Sequence, residues 1–485
     1  MFLGVDIGTS AVKAVLTDDA GTITASASAP LTVSRPRALW SEQDPEDWWR
    51  ALVEAVQGLP APSRAAVRAM GLSGQMHGAV LLDATDRVLR PAILWNDGRA
   101  GAECAELQRI EPRSRALTGN LAMPGFTAPK LLWVRRHEPE VFAATARVLL
   151  PKDYVRLRLT GEHVSDLSDS AGTLWLDVGA RRWSEPMLAA CGLTPAHMPR
   201  LVEGSEPGGA LTPVAAAELG LPAGVIVAGG GGDNAAGAVG VGAIAPGQGL
   251  VSLGTSGVIF LAGDRFAPAT DRAVHAFCHA LPERWHQMAV ILSAASALDW
   301  VSRLTGFSNV GAAVSAAEGH EGEAPVFLPY LSGERTPHND PGASGVFFGL
   351  DHDTDRAALV RSVLEGVAFA LAEGAGALRE SGMPIESLIA IGGGARSRFW
   401  LRLIATALDM PLQVGEDSDA GAALGAARLA RLALTGEAPE GVCVPPARLS
   451  TITPDPSIAE GLERRRSVYR RLYPDLRATF AETRT

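Results

Sequence analysis

Residues 2–17 read Phe2-Leu3-Gly4-Val5-Asp6-Ile7-Gly8-Thr9-Ser10-Ala11-Val12-Lys13-Ala14-Val15-Leu16-Thr17. Two short apolar runs flank a Gly-Thr-Ser turn, the pattern of two strands joined by a tight connection. A third run, Thr22 to Leu31, comes after the turn Asp18-Asp19-Ala20-Gly21, which makes a β-meander. From Gly249 the chain repeats itself: Leu250 to Leu253, then Gly254-Thr255-Ser256, then Gly257 to Asp264. Strand, Gly-Thr-Ser, strand at two distant places is an internal duplication. It predicts two similar α/β domains, residues 1–245 and 246–485, facing each other across a cleft.

Between the copies the period changes. Asp44-Pro45-Glu46-Asp47 is a helix start, with a capping Asp, Pro at the first helical position and an acidic first turn. Trp48, Leu52, Val56 and Leu59 keep helical spacing, so one face is expected to be buried. Ala69 to Leu72 read as a strand running into Ser73-Gly74-Gln75-Met76-His77-Gly78, and Leu221 to Val227 as a strand ending in Gly229-Gly230-Gly231-Gly232-Asp233-Asn234. Residues 100–200 read as insertions on a core. In the second copy Asp355 caps a long helix from Arg356 to Glu380, and Leu388 to Ile391 form a strand ending in Gly392-Gly393-Gly394.

A turn of Gly, Thr and Ser between strands presents backbone N–H groups and hydroxyls, a concavity suited to phosphate oxygens. Alone it is equally an ordinary hairpin turn. In two copies, Gly8-Thr9-Ser10 and Gly254-Thr255-Ser256 can grip a nucleotide's phosphates from both sides. Asp6 stands two residues before the first turn, where the second has Ser252. One carboxylate beside phosphates suits Mg²⁺. Lys13 adds positive charge there, or is a solvated strand lysine. No GxxxxGK[ST] loop is present, and the first glycine turn leads into a strand rather than a helix. A dehydrogenase is disfavoured as well: about 20 residues beyond the Gly229–Gly232 run stands Leu250-Val251-Ser252, with no acid for a ribose.

Phosphoryl transfer to an alcohol needs a group that accepts the hydroxyl proton and aims the oxygen. Asp233, after four glycines and near the domain break, is the candidate, and it is also a candidate cap for a helix starting at Asn234. Gln75, Met76 and His77 set amide, thioether and imidazole side by side, useful for a polyhydroxylated substrate. Trp95-Asn96 and the adjoining Asp97-Gly98-Arg99 offer an aromatic face with polar neighbours.

Composition narrows the field. Of 485 residues, 47% are hydrophobic and 20% charged, with a net charge of −10. Without a basic excess, nucleic acid and anionic membrane are poor partners, and Arg464-Arg465-Arg466 with Arg470-Arg471 reads as a solvated helix face. The four cysteines are isolated, which argues against zinc and for a reducing cytoplasm. No leader and no apolar run long enough to span a bilayer is expected.

At these residues the chain resembles the carbohydrate kinases, the family that includes glycerol kinase, gluconokinase and xylulokinase. The resemblance runs from Asp6 to about Ala430. Gly125-Phe126-Thr127-Ala128-Pro129-Lys130-Leu131-Leu132-Trp133-Val134 is similar to the family's first signature. Gly345-Val346-Phe347-Phe348-Gly349-Leu350 through Glu365 is similar to its second, with Ala358 where a polar residue is usual. The resemblance implies two actin-like (ribonuclease-H-like) domains around a hinged cleft, often in a homodimer. It implies ATP and Mg²⁺ as cofactors and a small sugar as substrate. Ser73 to Gly78 are similar to the xylulokinase form of the sugar loop, implying transfer of the γ-phosphoryl of ATP to O5 of D-xylulose. Another pentulose or a pentitol, such as L-ribulose, remains open. So does a non-catalytic actin-like ATP-binding protein, which has no use for the sugar loop or Asp233. By resemblance, Met76, His77, Asp233 and Asn234 contact the ketose, with Asp233 the base and Asp6 the magnesium-linked acid. Thr9, Ser10, Thr255 and Ser256 meet phosphates, and Gly393, Gly394, Ala395 and Arg396 form the adenosine loop. Asp419 to Ala427 are similar to a small-residue helix at the domain interface.

Overall fold

The computed structural model describes residues 1–415, 421–446 and 449–482. The opening meander forms as read: β1 (Phe2–Ile7), β2 (Ala11–Thr17) and β3 (Ile23–Pro30) pair antiparallel in sequence order. β4 (Ala69–Gly74) lies parallel to β1 on its other side. β5 (Pro207–Ala210) is the outer edge, and β6 (Ile226–Ala228) joins β4 in parallel. The two-residue β7 (Gly231–Gly232) resumes that pairing. The order is therefore β5-β6-β4-β1-β2-β3.

The second sheet repeats this plan. β8 (Gln248–Leu253) and β9 (Gly257–Gly263) form the first hairpin; β10 (His275–Cys278) is an added edge and β11 (Trp285–Ile291) the third meander strand. β12 (Ser387–Ile391) and β13 (Leu412–Gly415) add in parallel, and β14 (Leu449–Ile452) closes the far edge. The order β10-β11-β9-β8-β12-β13-β14 sets β8, β9, β11, β12 and β13 where the first sheet has β1, β2, β3, β4 and β6. This is the two-domain actin-like architecture.

Seven of the helices carry the site or brace the sheets beneath it: α1 (Pro45–Gln57), α2 (Thr127–His137), α3 (Pro151–Thr160), α4 (Asp233–Val241), α5 (Arg356–Glu380), α6 (Gly421–Thr435) and α7 (Pro456–Glu482). The expected caps are present. Asp44 accepts from Glu46 N and Asp355 from Ala358 N, which satisfies helix-end donors that would otherwise lack partners. Trp48, Leu52 and Val56 are buried on α1.

Three expectations need correction. The strand expected over Leu221–Val227 is only Ile226–Ala228, because Pro222 has no N–H to donate and Gly224 turns the chain with φ +74°. The helix at the glycine run begins at Asp233, with Gly232 rather than Asp233 in the capping position; Asp233 still accepts from Asn234 N at 2.7 Å. The arginine run on α7 is not simply solvated. Arg465 pairs with Glu365 at 2.7 Å, Arg466 reaches Ala407 O at 3.0 Å, and Arg470 pairs with Glu373 at 2.8 Å, so the run ties α7 to α5. Asp419 and Ala420 lie outside the described residues, while the rest of that stretch, from Gly421, is α6.

Candidate active site

Three loops leave the carboxyl ends of the adjacent parallel strands β1, β4 and β6, the edge where open α/β sheets bind ligands. They carry Gly8-Thr9-Ser10, Ser73 to Gly78, and Gly229 to Asn234. Strand register sets their depth. Asp6 pairs with Ser73 across one neighbour, and Ser73 pairs with Gly231 across the next, so Asp6 and the approach to Asp233 lie side by side.

At three of the four glycines before Asp233 a side chain would clash with its surroundings. A Cβ on Gly229 would lie 2.1 Å from Glu203 O, and one on Gly230, at φ +74°, 2.0 Å from Leu72 O. On Gly232 it would lie 2.9 Å from Met76, whose buried side chain packs beneath the turn. Asp233 is half-buried, and loss of hydration pushes its carboxyl pKa up to about 7, with the charge of Asp6 adding to the rise. Its Oδ1 accepts from Asn234 N at 2.7 Å and from Asn234 Nδ2 at 2.8 Å, which opposes the rise and aims the group.

Asp6 is also raised, by burial, against the Ser73 hydroxyl and the Lys13 charge. Its Oδ1 is buried without a hydrogen-bond partner. A carboxylate oxygen left so beside a hydroxyl-rich turn suits a hard divalent cation, with phosphate oxygens and water completing the shell. Among the described residues no group of three or more His, Cys, Asp or Glu is arranged for a metal, so the protein would supply few ligands of its own.

His77 adopts φ +68° and is pinned from three directions. Its carbonyl accepts from Lys130 Nζ at 2.8 Å and Thr127 Oγ1 at 3.1 Å, both from α2. Its Nδ1 lies 2.7 Å from Gly172 O. A carbonyl only accepts, so Nδ1 carries the proton and Nε2 is left as an acceptor for a hydroxyl. Burial, reinforced by the Lys130 charge, pushes the His77 pKa down to about 3 and keeps the ring neutral. Phe126 meets the ring edge-on at 4.6 Å, and Phe277, from the second sheet, stands 6.4 Å away.

Gln75 and Trp95 hold the first Gly-Thr-Ser turn itself. Trp95 Nε1 donates to Thr9 Oγ1 at 2.9 Å, and Thr9 Oγ1 donates to Gln75 Oε1 at 3.1 Å. Gln75 is 2% exposed and donates to Gln43 Oε1 at 2.9 Å; Gln43 in turn donates to Thr9 O at 2.8 Å and accepts from Trp48 Nε1. The Trp95 ring is 43% exposed, and Asn96 beside it is exposed. Asp97 fixes the loop from below through Ser41 N at 2.6 Å and Arg99.

In the second half, Gly254-Thr255-Ser256 is buttressed by the segment after β11. Thr255 O accepts from Ala294 N at 2.9 Å and Ser296 Oγ at 2.7 Å. The turn Gly392–Arg396 leaves β12, next to β8, and Gly392 takes φ +88° with room for a Cβ only 3.0 Å from Leu253 O. Gly393, Gly394, Ala395 and Arg396 therefore sit at the same sheet edge as the second Gly-Thr-Ser turn. Sequence reasoning missed Gln43, Thr127 and Lys130 as parts of the site. Lys130 stood in the quoted Gly125–Val134 stretch, where a lysine amid apolar residues was a usable signal.

Residues 1–240 match the N-terminal domain of the FGGY family of carbohydrate kinases, and residues 249–434 its C-terminal domain. The chain belongs to the FGGY carbohydrate kinases. Within the family it is 54% identical over 480 residues to a xylulose kinase of Escherichia coli strain K12, covering 98% of this chain and 99% of that one. A crystal structure described as a "xyloylose kinase" from Brucella ovis superposes with a TM-score of 0.95 at 53% identity, covering 99% of both chains. Glycerol kinase of Plasmodium falciparum with ADP shares the fold at 19% identity, TM-score 0.87, over 96% of this chain and 97% of that one. An FGGY kinase moves a phosphoryl group from ATP to a carbohydrate hydroxyl. Among the described residues, no helix is long and apolar enough to cross a membrane.

Proposed function

We propose that this FGGY kinase phosphorylates O5 of D-xylulose. The hydroxyl oxygen attacks the γ-phosphorus of ATP, its proton passes to Asp233, the bond to the bridging oxygen breaks, and ADP leaves. Asp233 carries the reading. It is a carboxyl raised to about 7, beside the sugar loop and in the field of Asp6, so it is basic enough to take a proton near neutral pH. His77 Nε2 accepts from a sugar hydroxyl, and Met76 and Asn234 complete the contact. The two Gly-Thr-Ser turns donate to phosphate oxygens, and Gly393 to Arg396 border the adenosine. Asp6 is the protein's ligand for Mg²⁺, which when bound neutralises charge on the phosphate oxygens. Closure of the cleft excludes water and limits ATP hydrolysis. The division into residues 1–245 and 246–485 rests on the break between the two sheets, and a reducing cytoplasm on four free cysteines.

The test is ADP release with MgATP across D-xylulose, L-ribulose, glycerol, gluconate and pentitols. Strong stimulation by D-xylulose alone is the expected result. A larger response to another polyol would overturn the substrate while keeping Asp233. No response to any of them would overturn the reading.

A further inference from the structure

Beneath the glycine turn lies a group of charges with no part in the phosphoryl transfer itself. Lys152, Asp153, Arg156, Asp166 and Asp169 are all fully buried. Lys152 Nζ stands 2.6 Å from Asp153 Oδ1, 2.8 Å from Asp166 Oδ1 and 3.1 Å from Asp169 Oδ2. Burial raises the Asp169 carboxyl pKa, and the Lys152 charge opposes the rise. Taking this many charges out of water is expensive, and such a group is weak evidence of stabilisation. Its placement accounts for it better.

Two arms run from the cluster to the segment that carries Asp233. Arg156 donates from Nη1 to Ala228 O and from Nη2 to Gly229 O, each at 2.6 Å. Ser168 Oγ accepts from Gly232 N at 3.1 Å and donates to Asp166 Oδ2. Asp166 also accepts from Ser168 N at 2.7 Å, so the hydroxyl is locked on a carboxylate that Lys152 holds. Gly229 to Gly232 are the four freest residues the chain could place here, with no side chains to fix themselves. Backbone bonds from Gly229 N to Glu206 O and Gly230 N to Gly204 O, and the pairing of β7 with β4, hold the middle of this peptide, while Arg156 and Ser168 hold its two ends from the cluster side.

We infer that the Lys152–Asp166 cluster is a positioning device, in which Ser168 and Arg156 fix the glycine turn and so set where the Asp233 carboxyl stands. The inference rests on Asp233 as the base. A displacement of about 1 Å at a reacting group costs on the order of 100-fold in rate.

The experiment compares Ser168→Ala, Arg156→Lys and Asp233→Ala in the full-length enzyme, with kcat, both KM values and thermal midpoints measured. Arg156→Lys keeps the charge and loses the two-pronged donation. Both positioning variants should lower kcat by about tenfold or more, with KM for MgATP within about twofold. Ser168→Ala, which removes one hydroxyl, should keep its midpoint within a few degrees. In an Asp233→Ala background, Ser168→Ala should cause no further loss, because it acts through the missing carboxyl. Undiminished kcat in Ser168→Ala, or an equal further loss without Asp233, would overturn the device and leave the base in place. Retention of rate by Asp233→Ala alone would overturn the base itself. Should Arg156→Lys fail to fold, the Ser168 comparison decides.

Discussion

Asp233 shows how one side chain obtains its chemistry from its surroundings. An ordinary carboxylate is too weak a base to take an alcohol proton near pH 7; partial loss of hydration and the neighbouring Asp6 lift this one to about 7. Asp233→Asn keeps the shape and removes the proposed base, so kcat should fall by about 10²- to 10⁴-fold. Binding of MgATP, measured by calorimetry, should stay within about twofold. The pH dependence has a definite sign. A raised pKa means that the protonated, inactive form persists to higher pH, so kcat/KM for the sugar at low MgATP should fall as pH drops through about 7. A limb near the ordinary aspartate value of about 4 would remove burial as the source of its basicity. Met76, His77 and Asp233 could be singled out as candidates because each sits in a short local pattern after a strand. Gln43 was not. Its role comes from Gln75, 32 residues away, and from Thr9, and no local spacing announces such a bond.

At the scale of elements, backbone contact decides the design. α6 lies directly on β1, β4 and α4, and glycine makes each approach possible. A Cβ on Gly4 would fall 1.9 Å from Ala423 O, on Gly71 1.9 Å from Ala426 O, on Gly240 1.9 Å from Gly421 O, and on Gly425 1.8 Å from Ala236 O. The Ala- and Gly-rich sequence of α6 is thus a packing surface. Gly71→Ala should destabilise by about 3 kcal/mol, because helix or strand must shift bodily. Gly376→Ala, inside α5 where a Cβ meets nothing, should stabilise by up to about 1 kcal/mol through helix propensity. Chemical denaturation of the two variants reads both signs, and equal effects would refute contact as the cause. The meander strands were legible from alternating apolar runs and Gly-Thr-Ser turns. The segment Leu221–Val227 was not, because its apolar composition masks a proline and a left-handed glycine that keep its first half out of the sheet.

Across the whole molecule, the duplication read from the sequence hides an exchange between its halves. α6 comes after the second sheet's β13 in the chain, yet it packs on the first sheet, where Ala423, Ala427 and Ala430 cluster with Phe2, Val15 and Ala69. Leu429 and Leu432 join Ala235, Val239 and Ile244 on the α4 side. A boundary near residue 245 separates the sheets but cuts the first one off from the helix that covers it. The sequence pattern shows small residues in α6 and cannot show which sheet they meet, since that depends on where the chain travels after β13. The consequence is testable by dissection. A chain ending at residue 245 leaves the faces of β1, β4 and α4 uncovered, with glycines exposing backbone and apolar side chains open to water. It should express poorly or bind a hydrophobic dye strongly, and lack a cooperative thermal transition. Residues 421–446, joined through a flexible linker, should restore both solubility and the transition by re-covering that face. If residues 1–245 alone unfold cooperatively with little dye binding, then α6 is an accessory, and its close approach to Gly4 and Gly71 serves the cleft rather than the stability of the first sheet.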